Sequence, residues 1–470
     1  MFDVMVILPL AATGAGAILI MLVAAFETFR REGISILGMG LFAFAFFIQL
    51  TVDNSGDIYP FAEVFNGMLV ANTFTKVAGL IILACGFFSA LAAQTYFTQN
   101  KGFVLEFYCM LLFAAFGMLL LTMVAELITL FIALEIMSLA VYTLVGYDRH
   151  SVVRAEAVLK YLMLGAFAGA FYVMGAVLVY AGTGSTSFAA IGAVVADSGY
   201  LSNPALVGGS FLILFAFLFK AAAFPFHAWV IDVYDGAPLP VTAFMATAVK
   251  TSIFAVLANF LLINPEVHQG WVTFLFYLSI LTMFAGNLIA IGQQNLKRML
   301  AASGIVHTGY LLIALVALGS ERFSGGAILF YLAAYGVATL GLFVALSYLS
   351  GQDERRVSFD DFRGLAKVRP YSAACIAIFL LSMAGIPPTA GFMGKFYIIA
   401  GAFQAGHAVL AVLGIVSSIL SLWYYLRLII VMYFREPEQR FEVAELTLAP
   451  LGTIVLAVCV FAISFYPVVL

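Results

Sequence analysis

Charge is what this 470-residue chain has least of: Asp, Glu, Lys and Arg make up 10% of it, where an average soluble chain carries about 25%. With 64% hydrophobic residues and a mean hydropathy of +1.11, that shortage excludes a soluble globular domain. It predicts a polytopic membrane protein. Cysteine is scarce too. Cys85, Cys109, Cys375 and Cys459 each lie in an apolar stretch and none belongs to a CxxC, which argues for inert buried thiols and against disulfides or metal ligands. No GxGxxG follows a predicted strand and no GxxxxGK[ST] occurs, so neither of the common phosphate-cradling loops is available for a dinucleotide or ATP. The first twenty-odd residues have no positive leading region and are expected to stay as a first membrane span.

What remains is apolar sequence in span-sized pieces. Since about 20 apolar residues cross a bilayer, the chain divides into fourteen expected spans, an all-α fold. The seventh (205–228) is interrupted by Pro225 and the twelfth (371–401) by Pro387 and Pro388. Fourteen of the 21 lysines and arginines fall in odd-numbered loops, two (Lys76 and Arg322) in even ones, and five within spans. The positive-inside rule then places the odd loops in the cytoplasm and both termini on the far side. Spans 4–8 and 9–13 each have an interrupted fourth member, and because five is odd the second set must run inverted. Inverted repeats with broken helices at matching positions are typical of secondary transporters with ion sites near the midplane. The expected divisions are a three-helix segment at 1–100, repeats at 101–265 and 266–436, and a last helix at 437–470.

The few charges inside the spans point to function. A lysine at the bilayer centre costs roughly 2.5–3.5 kcal/mol on insertion scales, so such residues face a bundle interior or a hydrated cavity. Lys220 and Lys250 flank the Pro225 break with no acid within a helical turn of either. Freed carbonyls at such a break are tolerated only against protein or water. Glu135, midway along the fifth span, needs a partner from another helix, and Lys220 lies at similar depth. The pair is expected to be either a switch or a static packing contact. A lysine out of water is poised between charge states, and a carboxylate that approaches or withdraws tips the balance. Lys395 follows the second break in AGIPPTAGFMGKF, where Gly385, Gly391 and Gly394 surround the two prolines. Glu156 and Lys160 form an i,i+4 pair near the start of the sixth span, suited equally to an interfacial contact or to proton uptake. Glu106 sits at the start of the fourth span as an interfacial carboxylate or a contact to a neighbouring chain. His307 is placed in a relay, because histidine titrates near neutral pH, and His227 at its margin. Arg427 is expected to snorkel. The mixed charges of 351–370 suit a cytoplasmic surface or subunit contact.

The strings ALEIMSLAVYTLVGYDR, FKAAAFPFHAWVIDVYDGAP, NLKRMLAASGIVHTGYLL and AGIPPTAGFMGKFYI resemble the antiporter-like membrane subunits of respiratory NADH–quinone oxidoreductase, complex I, over essentially the whole chain. The resemblance implies fourteen core helices, inverted five-helix repeats and broken helices seven and twelve. It implies a proton channel in which Glu135 and Lys220 are the modulating pair, Lys250 the central relay and Lys395 the residue of the far half-channel, with Glu106, Glu156 and Lys160 at further charged positions. Lys395 in place of a glutamate sets the chain apart from the M-type members, and an end straight after the fourteenth span sets it apart from the L-type. The implied partners are other membrane subunits (M and small ones such as K and J) and lipids, with no nucleic acid. NADH, flavin, iron–sulfur clusters and quinone would be handled by other subunits and no cofactor by this chain. A bacterial inner membrane is the implied location. The lysine pattern alone also fits a free-standing cation/proton antiporter subunit, or a scaffold whose charges only hold subunits together.

Overall fold

The computed structural model describes residues 2–24, 31–52, 62–99, 104–147, 152–319, 325–437 and 447–465. Arg30, Lys101, Arg149, Arg322 and Arg440, used above to orient the loops, lie outside the described residues, as does the expected boundary at 100/101. Helices α1 (Phe2–Ala24) and α2 (Arg31–Thr51) precede a short hairpin of β1 (Ala62–Val64) and β2 (Leu69–Ala71). Then come α3 (Thr73–Gln99), α4 (Val104–Met123), α5 (Leu127–Val145), α6 (Val152–Thr183), α7 (Phe188–Ser198), α8 (Pro204–Ala221) and α9 (Ala228–Gly236). The chain continues through α10 (Leu239–Ile263), α11 (Pro265–Ile291), α12 (Leu296–Ala317) and α13 (Gly325–Leu349). It closes with α14 (Pro370–Ala384), α15 (Ala390–Gln404), α16 (Ala408–Phe434) and α17 (Ala449–Ser464).

Among the described residues, twelve helices are long and apolar enough to cross a bilayer, or up to 13 when α14 and the segment Asp360–Val368, bent from it by 120°, count as one span. The difference from the expected fourteen arises at two places. The twelfth expected span is two helices of 15 residues, α14 and α15, and the fourteenth is α17 with 16. The hairpin and α7 were not anticipated, since neither carries a long apolar run.

Both expected breaks are present, and each begins before its proline. Proline lacks an N–H and disfavours helical geometry in the residue ahead of it. Accordingly α8 closes at Ala222, whose φ of 58° is left-handed and whose N–H caps the Leu218 and Phe219 carbonyls. The second break opens at Gly385, φ 84°, capping Leu381 and Ser382. Where α15 restarts, a Cβ on Gly391 would stand 1.9 Å from the Ser382 carbonyl oxygen, so the close return of the chain requires glycine there. The eighth span holds an unexpected feature: residues Met245–Val249 form a π-helical turn directly before Lys250, a distortion common at functional sites.

Helices α10, α12 and α13 form the centre. Of their apolar windows 89%, 100% and 89% are buried, against 28% for α6 at the rim. The rim helix still packs closely on one side. An added Cβ on Gly175 of α6 would meet the Gly209 carbonyl of α8 at 2.6 Å, and one on Gly209 would meet Gly175 at 2.7 Å. Small residues that let membrane helices approach this way carry much of the packing. Gly175→Leu is therefore expected to push α6 off α8 and cost about 1–3 kcal/mol, read as a lower melting temperature of the detergent-solubilised protein; an unchanged melting curve would contradict the close contact.

Candidate functional site

The three mid-membrane lysines are buried at 4% (Lys220), 3% (Lys250) and 4% (Lys395) relative exposure. Lys220, in the last turn of α8, donates to Ser138 Oγ at 2.8 Å and Tyr142 Oη at 3.1 Å. Its ammonium also lies over the rings of Tyr142 (5.1 Å) and Tyr161 (5.6 Å), which attract a cation through their π faces. The expected contact with Glu135 is not made. Ser138 and Tyr142 stand at i+3 and i+7 from Glu135 on α5, so they share its face, and these hydroxyls occupy the ammonium in its place. Glu135 itself is half-buried and lies against Gly169 of α6.

Lys250 donates to the Gly304 carbonyl of α12 and lies over the Tyr335 ring at 5.3 Å. The Thr308 hydroxyl connects it toward Lys220: it contacts the Ala221 carbonyl at 2.6 Å, next in sequence to Lys220, and the Gly304 carbonyl at 3.2 Å. On the other side Tyr335 is 4.5 Å from the His307 ring, centroid to centroid. His307 bonds to Tyr331 Oη through Nδ1 at 2.6 Å and to Tyr425 Oη through Nε2 at 3.3 Å. The Tyr331 ring in turn neighbours Tyr310, at 6.3 Å, and Lys395 lies over Tyr310 at 5.1 Å. Lys395 donates to Ser418 Oγ at 3.0 Å and, across the second break, to the Ala384 carbonyl at 2.9 Å. It floors a groove of about 700 Å³ between α14, α15 and α16. Lys220, Lys250, His307 and Lys395 thus follow one another through the core, spaced by hydroxyls, backbone carbonyls and tyrosine rings.

A charged cluster sits beside the Lys220 end. Lys160 pairs with Glu156 at 2.7 Å and with Asp232 of α9 at 2.8 Å, while Arg298 pairs with Asp232 at 3.2 Å and Asp235 at 3.3 Å. The Lys160 hydrogen bond, with Arg298 adjacent, holds the Asp232 carboxyl below the usual aspartate range. That interaction is intact above the ordinary aspartate pKa and fades only as pH falls through the lowered one, so at neutral pH Asp232 is ionised. Glu106 is exposed on the first turn of α4 and His227 is half-buried in the α8–α9 turn, stacked on Phe224 at 5.2 Å. Both stand apart from the line.

Sequence reasoning missed Asp232 and every hydroxyl of the line. Helical spacing offered a signal for some: Ser138 and Tyr142 follow Glu135 on one face, and Tyr331 and Tyr335 are i,i+4 on α13. It also misjudged Lys297 and Glu354 as loop charges. They are a buried ion pair at 2.9 Å, because the segment after α13 folds inward against the α9–α10 turn. Cys85, Cys109 and Cys375 are buried and all four cysteines are free.

Residues 124–421 match the family model for the membrane part of NADH:quinone oxidoreductase and Mrp antiporters. NADH-quinone oxidoreductase subunit N of Trichlorobacter lovleyi is 40% identical over 379 residues, 80% of this chain and 77% of that one. A chain of respiratory complex I from Thermus thermophilus superposes with a TM-score of 0.81 at 32% identity, over 97% of this chain and 96% of its own. A chain of the Mrp complex from Dietzia, TM-score 0.81 at 20% identity over 98% and 93%, shares the fold. The chain, a multi-pass membrane protein packed with other membrane subunits in a respiratory enzyme complex, belongs to the subunit N family of NADH-quinone oxidoreductase.

Proposed function

We propose that this chain translocates protons along the line Lys220–Lys250–His307–Lys395, driven by NADH oxidation and quinone reduction in other subunits. The observation that carries this reading is the continuity of the line. Three lysines at 3–4% exposure follow one another with Thr308, Tyr335, His307, Tyr331 and Tyr310 between them, all of them buried. Each lysine holds its proton against carbonyls, hydroxyls and tyrosine faces, and no ion pair locks it in the charged form. A displacement of Glu135 toward or away from Ser138 and Lys220 would load or unload the first of them. Glu156, Lys160 and Asp232 form the mouth, on the face the positive-inside rule assigns to the cytoplasm. Moving a charge against the membrane potential costs about 2.3 kcal/mol per 100 mV, within reach of a lysine whose surroundings change between states. Fourteen spans, ten of them in two inverted five-helix repeats at the divisions given above, complete the architecture. This chain needs no redox centre of its own.

Glu135 also marks a neighbour. Half-buried, it borders the exposed stripe Ile132, Leu139, Thr143 on one side and the Ser138–Tyr142 side of α5 on the other. A carboxylate in lipid is costly, so another membrane subunit packs there; subunit M and small subunits such as K and J fit the role. The test is Lys395→Met in the assembled, liposome-reconstituted complex. Proton uptake per NADH oxidised is expected to fall, with slowed quinone reduction; an assembled complex with unchanged proton yield would sink the reading.

A further inference from the structure

We propose that Asn287 is an insulating residue: its amide blocks a shorter proton route from the charged face of the molecule to Lys395, one that would bypass Lys220 and Lys250. The inference rests on the relay reading above.

Asn287 is fully buried on α11. Its Nδ2 donates to Ser417 Oγ at 2.9 Å and to the Ser417 carbonyl at 3.2 Å, and its Oδ1 accepts from Tyr424 Oη at 3.1 Å. On the outer side, one helical turn along α16 from Tyr424, Arg427 donates to the Gln293 carbonyl at 3.3 Å and to Gln294 Oε1 at 2.6 Å. Gln293 also accepts from Arg298 at 3.3 Å, so this polar ring is continuous with the Asp232 cluster and shares its exposed face. It stands six residues beyond Asn287 on the chain, about 9 Å at helical rise. On the inner side Ser418, next to Ser417, bonds Lys395 at 3.0 Å. Between that exposed ring and Lys395, then, the polar side chains run Tyr424, Asn287, Ser417 and Ser418, and Asn287 is the carboxamide among these hydroxyls.

The chemistry of that group decides its role. A hydroxyl, carboxyl or imidazole relays a proton by accepting on one lone pair and releasing another hydrogen. A carboxamide has fixed donors on nitrogen and a fixed acceptor on oxygen, and net transfer would pass through a protonated amide or its imidic acid, neither populated at neutral pH. Asn287 also fixes its neighbours, because Tyr424 must spend its hydrogen on Oδ1 and Ser417 must offer a lone pair to Nδ2. At the first lysine the arrangement differs: Lys220 meets two hydroxyls, Ser138 and Tyr142, groups that do relay. A mere polar joint between α11 and α16 would give Asn287 the same contacts, and substitution separates the two roles.

Asn287→Asp keeps the shape and supplies a carboxyl group that, when protonated, can accept a proton on its free oxygen from the Tyr424 side as it releases the hydrogen on its other oxygen toward Ser417. In the reconstituted complex, quinone reduction is expected to continue near the unmodified rate while the proton gradient per NADH falls. Passive proton permeability of the resting liposomes is expected to rise several-fold. If gradient and permeability are unchanged while Lys395→Met still loses pumping, Asn287 is a packing joint and the insulation is overturned with the relay intact. If Lys395→Met itself pumps normally, the relay reading is what fails. Tyr424→Phe decides the matter should the aspartate not assemble. An unchanged proton yield is expected, because the branch does not conduct, and a reduced yield would show that it does and overturn the proposal.

Discussion

Replacing Lys297 by methionine is expected to cost about 3–5 kcal/mol, the range for breaking a buried ion pair from one side. The loss should appear as complex missing from the membrane and early melting of what assembles. The side chains of Lys297 and Glu354 are 3% and 6% exposed. Besides its partner, Lys297 donates to the Ala237 carbonyl at 2.6 Å, and Glu354 Oε1 accepts from the Leu239 N–H at 2.6 Å. These backbone groups belong to the turn that joins α9 to α10, where the first broken helix feeds the helix carrying Lys250. The pair therefore ties the segment after α13 to the turn between α9 and α10. Methionine strands the carboxylate in a dry pocket with one N–H for company. Lys297→Met with Glu354→Leu removes both charges at similar volume and is expected to recover most of the loss, since apolar replacement of a buried pair is often neutral. Recovery should stop short of complete, because the Leu239 N–H at the head of α10 loses its acceptor, worth about 1–3 kcal/mol. Equal instability of the single and double variants would contradict this account.

What could be read from the sequence was what is rare in it. Isolated lysines in apolar runs gave Lys220, Lys250 and Lys395, and prolines in such runs gave the two breaks. His307 stood out for the same reason. The connecting groups were hidden by abundance. With 21 tyrosines, nothing distinguishes Tyr331 and Tyr425 from residues facing lipid, and Asn287 is one amide in a long apolar helix. Glu354 lay in a run of mixed charge that reads as a solvated loop, and only the inward fold of that segment makes it a buried acid. Glu135 and Lys220 were expected in contact because their depths agree; equal depth does not set how near two side chains come, and the Ser138 and Tyr142 hydroxyls take the ammonium. The start of each break, at Ala222 and Gly385, was shifted by a few residues because a helix must end before the residue that a proline constrains.

Lys250→Ala carries the largest functional effect expected. Lys250 is the titratable group between the Thr308 bridge and the Tyr335–His307 side of the line, and its ammonium spans from the Gly304 carbonyl to the Tyr335 face. Alanine leaves the Gly304 carbonyl with its Thr308 contact at 3.2 Å, so folding should survive with a modest loss. Proton transfer should not, because a methyl group can hold no proton at the position of the ammonium. In the proposed mechanism chemistry in the other subunits is coupled to that transfer, so turnover should fall with it. The most direct measurement is proton uptake per NADH oxidised, beside the quinone reductase rate, in liposomes holding the assembled Lys250→Ala complex. The relay predicts that both collapse together; an assembled complex that pumps and turns over at the unmodified rate would contradict it and leave the buried lysines as a scaffold.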